Sequence, residues 1–109
     1  DHRDYNGVIQ LLEGSANLRN FNLADEKETI QNGAKFKIRE TANVNAKVGD
    51  ITSLARARDN IHEIIAGPEG VLFLDIFTFY KPTGGSKYLT VDKTPVDAEN
   101  KIYLASWRK

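Results

Sequence analysis

Four side chains in this sequence combine a chemically useful type with a telling position: His2, His62, Asp75 and Tyr88. A neutral imidazole is a metal ligand or a proton carrier, and with no cysteine in the chain any bound metal would have to use His, Asp or Glu. His62 lies in the strand-like run Ile61-His62-Glu63-Ile64-Ile65. By period-two alternation Asp75 shares a side with Phe73 and Phe77, where a carboxylate needs a partner or a task, so burial is expected for it. Each residue also has an ordinary reading. A strand histidine is often a hydrogen-bonded core residue, a buried aspartate often accepts from backbone N–H groups, and Tyr88 would pack its ring and leave its hydroxyl at the rim. Arg56, Arg58 and Asp59 most simply form a local ion-pair cluster of small energetic worth.

The elements that must position these groups read as strands. Tyr5 to Leu12 is one, closed by Glu13-Gly14, and Ala16 to Leu23 is a second, in which Leu18 and Phe21 fall on opposite faces and a bulge or an edge position is expected. Residues 24–32 are charged and end at Gly33, which favours a solvated loop. Lys35-Phe36-Lys37-Ile38-Arg39 alternates cleanly, with Phe36 and Ile38 inward and the cations in solvent. Gly49-Asp50 signals a turn before the strand Ile51 to Ala55. Gly67-Pro68-Glu69-Gly70 predicts a reversal, with the His62 run and the Val71 to Phe77 run as the two arms of a hairpin. Residues 81–85 form a loop, Lys87 to Val91 a strand, 92–100 a proline-containing connection and Lys101 to Trp107 the last strand. About eight short strands and no helix indicate a β-sandwich or barrel.

Length bounds the chain to a single domain spanning 1–109. Hydrophobic residues make up 40% and charged ones 28%, with a formal net charge of +0, so the chain is globular and has no overall field to draw in nucleic acid or membrane. No apolar run reaches transmembrane length. The lack of cysteine is compatible with a reducing compartment, and a cytoplasmic monomer is expected. Methionine is absent even at position 1, and a motif already stands at the first residues; the expectation is a piece of a longer protein.

The order of the pieces resembles the thiol dioxygenases of the cysteamine dioxygenase and plant cysteine oxidase group. Asp1-His2-Arg3-Asp4-Tyr5-Asn6-Gly7 through Glu13-Gly14 is similar to that family's His-Asp-His segment running into a strand that ends in Gly. Arg58-Asp59-Asn60-Ile61-His62 is similar to its Arg-Asp-Asn-Leu-His segment, and Phe73-Leu74-Asp75-Ile76 to its Phe-Leu-Asp-Ile strand. Ser86-Lys87-Tyr88 falls where members carry Cys-x-Tyr, and Ile102-Tyr103-Leu104 where they have a closing strand. The likeness is specific around His62 and Asp75 and weak from Ser15 to Val48.

The resemblance implies a cupin, a double-stranded β-helix or jelly-roll barrel, truncated at its N-terminal strands and with room for a C-terminal extension. It implies Fe(II) held by three imidazoles, two of them His2 and His62; the family's remaining histidine stands two positions before His2, outside this sequence. Asp75 would orient a ligand histidine or the substrate amine, and Tyr88 would place a hydroxyl near bound oxygen. The implied reaction oxidises cysteamine, or the N-terminal cysteine of a peptide, to the sulfinic acid with dioxygen. Two departures stand out. Arg3 replaces the usual Pro after the second histidine, and Ser86 replaces the Cys that can be cross-linked to the Tyr. The other classes open at this point are a non-catalytic cupin that binds a small ligand and a structural or interaction β-sandwich with His62 in its core.

Overall fold

The computed structural model describes residues 4–25, 33–80 and 86–108. Six strands account for its regular structure: β1 (Tyr5–Leu23), β2 (Phe36–Ala46), β3 (Ile51–Leu54), β4 (Ile61–Phe79), β5 (Leu89–Val91) and β6 (Ile102–Trp107). Every pairing between them is antiparallel. The chain is all-β, with no helix among the described residues. Six strands stand where about eight are expected, because two predicted pairs each merge into one 19-residue strand.

β1 is the middle of the sheet. β4 runs beside it from Tyr5↔Phe79 to Phe21↔Ile61. On the other edge β2 takes Ala16 to Leu23 and β3 takes Gly7 to Gln10. Between these two the link stays in register, since Leu11 N–H donates to Asp50 C=O at 3.0 Å and Gly49 N–H to Leu11 C=O at 2.9 Å. β6 pairs with β2, and β5 with β6.

β1 is folded over on itself. Asn6 Oδ1 accepts from Arg56 N–H at 3.1 Å, and Asn22 Oδ1 accepts from Asp59 N–H at 2.6 Å. Asn6 and Asn22 would lie ~53 Å apart in a straight strand, yet both reach a segment whose two contact points are at most ~11 Å apart. The corner lies where the β1–β4 register shifts, between Leu11 and Glu13 and again between Gly14 and Ala16. Opposite it β4 carries the stretch Gly67-Pro68-Glu69-Gly70, placed between the paired residues Ala66 and Val71. Here the reversal predicted at residues 67–70 is overturned. The chain runs on in the same direction, and the Gly-Pro-Glu-Gly segment absorbs the corner as an enlarged bulge, where a proline without N–H costs no ladder bond.

Alternation follows the corner. Tyr5, Gly7, Ile9 and Leu11 face inward before it, and Ala16, Leu18 and Asn20 after it, a switch from odd to even positions. A bulge is present as a register shift between Asn20 and Phe21, where β2 carries Thr41 as the extra residue between Glu40 and Ala42, while Leu18 and Phe21 stay on opposite faces by alternation. Three buried clusters result. Tyr5, Ile9 and Leu54 fill one half, Leu11, Ala16, Leu18 and Ala46 the corner, and Phe21, Phe36, Ile38, Ile61 and Ala105 the other half. Full burial of a side chain such as Phe21 or Ile38 stabilises by about 1.5–3 kcal/mol. Lys35, Lys37 and Arg39 are exposed, as their alternation predicts.

Candidate functional site

His62 is the second residue of β4 and stands opposite Asn20 of β1. Direct cross-strand partners share a face, so the imidazole lies on the side of Asn20, the inward side of β1 beyond the corner. It is half-buried and lines a groove of about 570 Å³ together with Ile61, Ser86, Tyr88 and Arg108. The groove lies between the first residues of β4 and the segment leading into β5. Burial pushes the His62 pKa below its ordinary value, and the Asp75 carboxylate acts in the opposite sense. Burial prevails, so the neutral, lone-pair-bearing form is favoured.

Asp75 pairs with Ile9, and so shares a face with Leu11, Phe73 and Phe77, as alternation predicts. Its expected burial is overturned: the side chain is exposed. Among the described residues β4 pairs with β1 alone, so a carboxylate on its inner face reaches water past the open edge. Asp75 does not line the His62 groove, and it bears on the imidazole through its electric field.

Tyr88 stands just before β5 rather than within the expected strand. Its side chain is 70% exposed, and its backbone carbonyl accepts from Arg108 N–H at 2.9 Å. Ser86, two residues earlier, shares a hydrogen bond of 2.8 Å with the Tyr5 hydroxyl. His62, Ser86 and Tyr88, distant in sequence, thus line one groove, whereas His2 lies outside the described residues. Among the described residues no three His, Cys, Asp or Glu side chains come close enough together to hold a metal ion. The cluster at 56–59 is dispersed: Arg58 meets Asp59 at 3.6 Å, while the Arg56 guanidinium lies over the Tyr80 ring.

Two features of the site went unread in the sequence. Arg19 Nε donates to Glu40 at 2.6 Å and its Nη1 to Glu63 at 2.9 Å, with the guanidinium over the rings of Phe21 and Tyr103. Glu63, which also lines the groove, is therefore ion-paired from behind with an Arg19 that it shares with Glu40. Tyr5 is the second. The odd-numbered inward series Tyr5, Gly7, Ile9 marks its burial, but nothing local announces a partner 81 residues away. No protein-family model matches the chain and no curated protein matches it, so its own residues have to carry the functional reading.

Proposed function

We propose that the chain is the cupin core of a non-haem Fe(II)-dependent thiol dioxygenase, a cytoplasmic monomer that oxidises cysteamine or the N-terminal cysteine of a peptide. The observation that carries this reading is the sharing of one groove by His62 and Tyr88, two residues to which the resemblance gives a role, with Ser86 at the position of the family's Cys beside them. The folding of β1 about a central corner supports the double-stranded β-helix.

The donor chemistry fits a metal at His62. The imidazole is half-buried, burial favours its neutral form, and it faces a groove that opens to solvent. His62 would be one ligand and His2 another, completed by the histidine that the resemblance puts two positions before His2. Iron, when bound, supplies the redox chemistry that adds both oxygen atoms to sulfur, taking R–SH and O2 to R–SO2H. The chain's own part is to keep the His62 lone pair unprotonated and to hold the Tyr88 hydroxyl at the mouth of the same groove, where it can donate to a bound oxygen or substrate atom. Ser86 leaves Tyr88 without a thioether, so the phenol acts with its hydroxyl alone. Glu63 shares Arg19 with Glu40, and the cations Lys87 and Arg108 on the groove wall offset the remaining negative charge and favour an anionic thiolate.

The test is mass spectrometry of product after the iron-loaded full-length protein is incubated in air with cysteamine or with an N-terminal-cysteine peptide. The expected product is heavier by one dioxygen, is not formed anaerobically or with a chelator, and is lost in His62→Ala. No mass gain with either substrate, or full activity in His62→Ala, replaces this reading with the non-catalytic ligand-binding cupin.

A further inference from the structure

Tyr88 has little of its own to hold it. Its ring is largely in solvent, so its place at the groove depends on the backbone of residues 86–88, which have no regular structure before β5 begins at Leu89. That short segment is fixed at its far end by the bond from Arg108 N–H to Tyr88 C=O. At its near end stands Tyr5. This residue is only 5% exposed, its ring edge-on to Phe77 with centroids 4.9 Å apart and tilted against Phe79 at 5.1 Å, within the cluster of Ile9 and Leu54. An aromatic ring locked in this way has no freedom to follow a moving partner, and its hydroxyl meets Ser86 Oγ at 2.8 Å.

We propose that Tyr5 is a positioning residue: its hydroxyl, through Ser86, holds Tyr88 at the mouth of the His62 groove. The buried cluster at the start of β1 thereby sets the geometry of a site formed by β4 and β5. The inference rests on the reading of Tyr88 as the hydroxyl that serves the groove. A phenylalanine at position 5 would pack the same way and release the hydroxyl's bond to Ser86, whose loss raises the open population of the 86–88 segment about fivefold.

The experiment uses the full-length protein and two readouts. Trypsin cleavage after Lys87, followed by mass spectrometry under conditions that keep the protein folded, reports the open population. Tyr5→Phe and Ser86→Ala are each expected to speed it about fivefold, and the double variant no further, because both remove one bond. Turnover of the thiol substrate is the second readout. Tyr5→Phe is expected to lower kcat severalfold with KM nearly unchanged, and to cost nothing more when added to Tyr88→Phe. Unchanged cleavage in both single variants, or losses of turnover that multiply in Tyr5→Phe/Tyr88→Phe, overturns the proposal. A wild-type protein that oxidises no thiol sinks the dioxygenase reading instead, while the cleavage result still decides whether Tyr5 pins the segment.

Discussion

Burial of His62 links the site to the stability of the fold. Because the folded imidazole has a pKa below its ordinary value, the unfolded chain takes up a proton more readily than the folded one. The contribution of the neutral, buried ring is fully present above the unfolded pKa of about 6.5 and is lost as pH falls through the lowered folded value. Urea denaturation between pH 7.5 and 5 should show stability falling with acidification, and His62→Gln should flatten that part of the profile. Asp75 opposes the effect of burial, so Asp75→Asn should lower the His62 pKa further, as read by NMR titration of the ring; an unchanged pKa would show that the carboxylate does not act on the imidazole. Period-two alternation was enough to put Asp75 on the face of Phe73 and Phe77. Its exposure was not legible, because whether a neighbouring strand closes over β4 is decided by pairings far away in the chain.

The corner of β1 and β4 shows why turn residues alone mislead at the scale of elements. Gly67-Pro68-Glu69-Gly70 carries every local mark of a reversal and Glu13-Gly14 that of a strand end, but the two stretches face each other across one ladder and serve a single bend. The clean strands around Phe36 and at Ile102–Trp107 were legible from local alternation; the merging of four predicted strands into two was not, since it depends on register between segments some fifty residues apart. Gly14 has φ +78, and a Cβ there would lie 2.1 Å from the Gly70 carbonyl oxygen. Gly70 has a similar φ of +80 but open space around it. Gly70→Ala should therefore cost only the left-handed backbone penalty of about 1–2 kcal/mol, and Gly14→Ala should cost more, at least about 3 kcal/mol, because the backbones themselves must part. Equal losses in chemical denaturation would mean that the corner is loose.

At the scale of the whole molecule, the face of the sheet turned away from the core is strongly apolar. Val8, Leu12, Ile51, Leu72, Leu74 and Ile76 are exposed on three adjoining strands, Ile51 and Ile76 by 64% and 62%. Ile76→Lys, on a strand whose far edge is unpaired among the described residues, should leave stability within ~0.5 kcal/mol and lower light scattering at high protein concentration. A large loss of stability would mean that this face is packed in the intact protein. The central place of β1 also has a temporal consequence. Its partners follow it in the chain, and the one that runs along its whole length is complete only at Phe79. On a ribosome adding 5–20 residues per second, the 56 residues from Leu23 to Phe79 take roughly 3 to 11 s. Through that interval the edge of β1 that β4 will cover waits unpaired, even after β2 and β3 have been made to cover the other edge, so the nascent chain is vulnerable to aggregation until Phe79 is added, and faster elongation through residues 24–79 should raise the yield of folded protein.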